Sequence, residues 1–242
     1  MVLDPLVAEE VLVADPDGTT TTEVAPVVSV DSTVVLDTTT DAPITYTADG
    51  IYAIDADGDQ TVTPLGQQLL TSLEAAWTTL AGAASDAASF EALLLQVFGR
   101  SDAAQIDLLA SGGGLQGLNF AVASAEEMNG ALGAYAVVGA DGTETIYLSE
   151  SLLSSGDSAA ILAVLLEEIG HALDTRLNGG LDTTGDEGEL FAQLVLGNNL
   201  TDAQLASIQA DVDSATLTID GVQVGVESSA TPTSFSVTNI VV

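Results

Sequence analysis

Between residues 64 and 111 the apolar positions recur every three or four residues. Leu65, Leu69, Leu73, Trp77 and Leu80 fall on one face of a helix that follows Pro64 and that Gly82 is expected to stop. Phe90, Leu93, Leu94 and Val97 mark a second helix over 86–98, closed by Gly99, and a third is expected from the N-cap Ser101 to the triple glycine at 112–114. That glycine run lacks a preceding strand and reads as a connector, not a phosphate loop. Ser124 and Glu127 fit a capping box for a short helix ended by Gly130 or Gly133, and Asp186 with Glu189 and Thr201 with Gln204 open two more helices. Alternation then predicts strands at 134–138 and 143–148, joined by Gly-Ala-Asp-Gly, and a tight hairpin in which 216–219 and 222–226 flank Asp220-Gly221. Residues 1–47 carry β-branched runs without helical period and read as an extended arm.

The segment 158–196 carries the densest group of residues able to act together, including His171, the only histidine. On a helix, Ile161, Leu165, Ile169 and Ala172 line one side, while Glu167, His171 and Asp174 line another. Glu168 lies between, three residues from His171. Two readings of these residues stand side by side. In one, Glu168 and His171 form a buried hydrogen-bonded pair, with Arg176 closing the network and Glu167 and Asp174 as solvated charges. In the other, the same side chains hold a metal.

Charge changes the picture. The chain has 242 residues, 47% of them hydrophobic, which is enough for a core and too many for a disordered acidic tail. Yet 36 acidic residues face only Arg100 and Arg176, for a net charge of −34. Such a chain repels nucleic acid and anionic membrane, and needs salt or bound cations to offset its own repulsion. The absence of lysine removes Walker loops and Schiff-base chemistry, and the absence of cysteine removes disulfides, thiol catalysis and cysteine zinc sites. One histidine excludes a three-histidine metal site within one chain. Asp55, Asp57 and Asp59, at alternate positions in IYAIDADGD, suit calcium, and equally suit a plain Asp-Gly turn. The N-terminus lacks the basic start of a cleavable signal, so the expectation is an extracellular or cell-surface protein exported without one. The tail Ser234–Val242 reads either as part of an uncleaved export signal or as a last strand.

The motif L-E-E-I-G-H-A-L resembles the active helix of zincin metallopeptidases, with Glu167 where that family has its first histidine. The resemblance places Glu168 at the general base, His171 at the second ligand, and Glu187 or Glu189 at the third. A carboxylate in place of imidazole makes the site harder and more anionic and weakens the metal's ability to acidify bound water. The resemblance therefore implies reduced or lost peptidase activity, although a set of Glu167, His171 and Glu189 still suits zinc or manganese. The stretches IYLSESLL, LLEEIGHALD and GDEGELFAQLV also resemble an N-terminal domain of cyanobacterial secreted proteins with haemolysin-type calcium-binding repeats, the repeats themselves being absent here.

These readings together give an α+β protein: a β-rich acidic arm over 1–63, a mainly helical zincin-like domain with one hairpin over 64–213, and a C-terminal hairpin and tail over 214–242. The expected function is a non-catalytic secreted or surface structural protein that self-associates, through a filament or layer whose assembly depends on salt or calcium. A zinc peptidase using Glu168 and a calcium-binding adhesion module using Asp55, Asp57 and Asp59 are the alternatives. Calcium is the expected cofactor ahead of zinc.

Overall fold

The computed structural model describes residues 64–180 and 183–229 in full and, of the first 63 residues, the backbone of six short strands. These are β1 (Val13–Ala14), β2 (Thr20–Thr21), β3 (Val35–Asp37), β4 (Ile44–Thr47), β5 (Gly50–Ile54) and β6 (Gln60–Thr61). The remainder runs α1 (Pro64–Ala84), α2 (Ala87–Phe98), α3 (Ala103–Ala110), β7 (Asn119–Ala123), β8 (Gly133–Ala136), β9 (Thr145–Ser149), α4 (Glu150–Ser155), α5 (Ser158–Asn178), α6 (Glu187–Val195), α7 (Asp202–Ala210), β10 (Ser214–Ile219) and β11 (Val222–Ser229). The fold is α+β, and no described helix is long and apolar enough to cross a membrane.

One sheet, ordered β10-β11-β8-β9-β7-β3, forms the centre. It is mixed, where short antiparallel strands were expected: β9 pairs antiparallel with β8 and parallel with β7, and β7 pairs parallel with β3. Both faces of β9 are covered, so its alternation is hidden: Thr145, Ile146, Tyr147, Leu148 and Ser149 are all buried. Phe120, Val122, Tyr135, Ile146 and Leu148 point to one face, where the helices pack. Ala121, Ala123, Ala134, Ala136 and Tyr147 point to the other, where Leu217, Ile219, Val224 and Val226 of the C-terminal hairpin cover them. Strand β11 joins the sheet through the register Glu227↔Tyr135 and Ser229↔Gly133. The hairpin at 214–229 is thereby continuous with the sheet of the preceding domain. Asp220 and Gly221, at φ 50° and 76°, make its turn.

Several local expectations give way for identifiable reasons. Helix α1 continues through Gly82 to Ala84, because Leu80 and Ala84 on either side are buried. The N-cap of α3 is Asp102, whose carboxylate accepts from the Ala104 N–H, while Ser101 Oγ donates to Glu91. Ser124 and Glu127 do exchange the bonds of a capping box, but the residues that follow form turns rather than a helix. Helix α4, capped by Ser149, is too short to show a period in sequence.

Candidate metal centre

Asp157 starts α5 by accepting from the N–H groups of Ala159 and Ala160, and Gly179, at φ 65°, ends it. The middle of this 21-residue helix is buried on every side, from Ala163 through Asp174. Helix α6 crosses it closely through two glycines. A Cβ on Gly170 would lie 2.9 Å from Gly188 Cα, and one on Gly188 would meet His171 Nε2 and the Glu167 carbonyl. The glycine of the E-E-I-G-H motif is thus explained by helix packing.

Acids from four elements converge on His171, which is 0% exposed. Glu187, the first residue of α6, brings Oε1 within 2.9 Å of Nδ1. Glu227 Oε2, on β11, lies 3.2 Å from Nδ1, and Asp213 Oδ2, just before β10, lies 3.8 Å away. On the opposite edge, Asp186 Oδ1 is 3.8 Å from Nε2 while also capping α6 by accepting from the Glu189 N–H. With Nδ1 hydrogen-bonded to Glu187, Nε2 is the ring nitrogen that faces Glu167 and Asp186. Nε2 is buried and has no hydrogen-bond partner among the described residues. Glu167, His171 and Asp186 each offer a ligand atom within 4.8 Å of the others, so this buried set can hold a metal ion.

The electrostatics follow from burying so many acids beside one imidazole. Burial first, then the Glu168 carboxylate beside it, pushes Glu167 well above the usual range against the pull of His171. Burial pushes Glu168 up to about 8 and Glu187 up to about 7, again against His171. Asp186 is raised by burial as well. Burial lowers the His171 pKa, but its bonds to Glu187 and Glu227 and the charges of Glu168 and Glu187 outweigh this and hold it well above 6.5. Glu167, Glu168, His171, Asp186 and Glu187 therefore each bind a proton more tightly than in water. A cation is the other species that relieves the same crowding of negative charge.

Glu168 and His171 are not bonded to each other. Glu168 Oε1 accepts from Ser229 Oγ at 3.0 Å and from the Ser229 N–H at 3.4 Å, and it packs on Gly133, where a Cβ would lie 2.4 Å from Oε1. Arg176 stays outside the cluster: its Nε and Nη2 donate to Glu144 at 3.2 and 2.8 Å, and Glu144 also accepts from Tyr135. Glu167 and Asp174 are buried, so neither is a solvated charge. Asp174 instead accepts from Asn178, from the Thr183 N–H and from Thr183 Oγ1, which ties the chain beyond α5 back to the helix. Glu189 is not part of the ligand set of Glu167, His171 and Asp186 and acts on Glu167 through its charge; Asp186 and Glu187 come within 3.8 and 2.9 Å of His171. Asp55, Asp57 and Asp59 lie outside the described residues.

Sequence reasoning missed Asp186 as more than a cap, and missed Asp213, Glu227 and Ser229 altogether. A partial signal existed: Val222, Val224 and Val226 alternate, which puts Glu227 and Ser229 on the opposite face, toward the helices. In comparisons with known proteins, the chain matches no family model, no curated protein and no solved structure.

Proposed function

We propose that this is a non-catalytic structural protein of the extracellular space, built around a buried metal centre that takes the place of disulfide cross-links. The observation that carries this reading is His171 Nε2, buried, without a hydrogen-bond partner among the described residues, and aimed between Glu167 and Asp186. One imidazole and two carboxylates suit zinc or manganese. Such an ion joins the middle of α5 to the start of α6, and a chain without cysteine gains from it the closure that other secreted domains take from disulfides. Burial argues against catalysis. Glu168 and His171 are both 0% exposed, and Glu168 is held by Ser229, so a peptide bond has no surface by which to reach them. The surface cleft lined by Ser124, Glu126, Asn129, Thr216 and Gly221 lies at the hairpin turn instead.

Self-association is part of the same reading. Among the described residues strand β10 is an edge of the sheet, and its sequence SATLTI carries no charge. In a chain of net charge −34, an uncharged edge is where a second chain's strand can pair without facing carboxylates. Salt or divalent cations screen the remaining surface, which makes assembly cation-dependent. The test is elemental analysis of protein purified without chelator, followed by unfolding with and without chelator. About one zinc or manganese per chain, with the unfolding midpoint lowered when it is removed, supports the proposal. Metal-free protein whose midpoint no added zinc or manganese raises refutes it.

A further inference from the structure

The buried acids around His171 exceed what a single divalent ion neutralises. An ion between Nε2, Glu167 and Asp186 leaves the other edge of the ring, where Glu187 Oε1, Glu227 Oε2 and Asp213 Oδ2 stand 2.9, 3.2 and 3.8 Å from Nδ1. Nδ1 carries one proton, and the shortest of these contacts claims it for Glu187. Glu187 is 3% exposed, and its second oxygen, Oε2, is buried with no hydrogen-bond partner among the described residues. Glu227 Oε2 is buried as well, and its neighbour Nδ1, 3.2 Å away, has its one proton turned to Glu187. Unpaired carboxylate oxygens in such a place are costly unless a positive charge sits between them.

We propose that this face holds a second, different cation: a hard divalent ion of the calcium class, taken by the oxygens of Glu187, Glu227 and Asp213 beside the transition metal on Nε2. The proposal rests on the metal-centre reading above and adds a second site to it. Its donors are all oxygen, which selects calcium, magnesium or manganese over zinc, and calcium tolerates the irregular geometry of ligands from three separate elements. Glu227, whose side chain is 17% exposed, is the most open of the three and gives the ion a way in and room for a water ligand. The placement has a structural consequence. Asp213 directly precedes β10, and Glu227 pairs with Ser214 across the hairpin, so the ion fastens both strands of the C-terminal hairpin to the first turn of α6. Calcium would then act on β10, the edge strand among the described residues that is offered for self-association.

The experiment uses the whole chain, stripped with chelator, reloaded with one equivalent of zinc, and titrated with calcium chloride in a calorimeter. The expected result is one calcium per chain bound on top of the zinc, with binding weakened at least about tenfold in Glu227→Gln and in Asp213→Asn while zinc stays at one per chain. Circular dichroism of both variants establishes that they fold; if one does not, the other decides. Zinc binding without calcium binding overturns the second site and leaves the first. Calcium uptake undiminished in the folded variants also overturns it, because that calcium belongs elsewhere in the chain. Failure of both metals to bind overturns the metal-centre reading itself.

Discussion

Gly188→Ala is the substitution whose outcome the geometry fixes most tightly. A Cβ at this position would lie 2.4 Å from His171 Nε2, 2.6 Å from Cε1 and 2.7 Å from the Glu167 carbonyl oxygen. None of these atoms can retreat: the imidazole is buried and the carbonyl belongs to the backbone of α5. Overpacking of this kind costs about 1–3 kcal/mol. Against it stands the gain of about 1 kcal/mol that alanine brings over glycine within a helix. The balance is a net loss of up to about 2 kcal/mol. The added carbon also crowds the approach to Nε2, so zinc affinity falls at least about tenfold. Gly82→Ala is the control. It lies in α1 with nothing within 4 Å of its would-be Cβ, and the same exchange there should stabilise by about 0.5–1 kcal/mol. Urea unfolding in chelator measures both, and a zinc titration of Gly188→Ala measures the second effect. Gly188→Ala as stable as the parent, with unchanged zinc affinity, would refute the close packing of α6 on His171.

Further outcomes follow from the same structure. In metal-free protein, Glu187 and Glu168 hold their protons up to about 7 and about 8 when folded but release them near 4.5 when unfolded. The folded state therefore binds more protons across that window, and stability should fall as pH rises from 5 to 8. His171, raised above 6.5, acts in the same direction, so a urea midpoint in chelator that climbs from pH 5 to 8 contradicts the assignment. Loss of the Asp174 carboxylate in Asp174→Ala strips Asn178 and Thr183 of their acceptor and should cost about 2–3 kcal/mol in a denaturant melt, with zinc stoichiometry unchanged. Self-association, followed by sedimentation, should disappear in low salt with chelator, and Thr218→Lys on the β10 edge should weaken it at any salt; polymers that persist in chelator defeat the cation argument.

The helices were legible because their signals are local. Leu69, Leu73 and Leu80, or Phe90, Leu94 and Val97, recur at helical spacing whatever they pack against. Asp157, Asp186 and Thr201 cap helices through bonds within three residues. The Asp220-Gly221 turn was equally local. The sheet was not, because the parallel pairing of β7 with β9 and the register of β11 on β8 depend on partners distant in sequence. The site divides along the same line. Glu167, Glu168 and His171 share one turn of helix and were found together. Glu227 and Ser229 reach them only through strand register, and Asp213 only through the start of the hairpin. Glu168 was expected to bond His171 from their spacing, yet Ser229 takes it, a partner 61 residues away.

The central claim is that His171 presents Nε2 to a metal while Nδ1 keeps its proton for Glu187. Because the chain has a single histidine, its two ring nitrogens give an unambiguous signature in a long-range proton–nitrogen NMR correlation of labelled protein. One equivalent of zinc added to the stripped chain should move Nε2 to the position of a metal-bound nitrogen and leave Nδ1 protonated. Zinc that leaves both nitrogens where they were, or that displaces the proton from Nδ1 instead, contradicts the account.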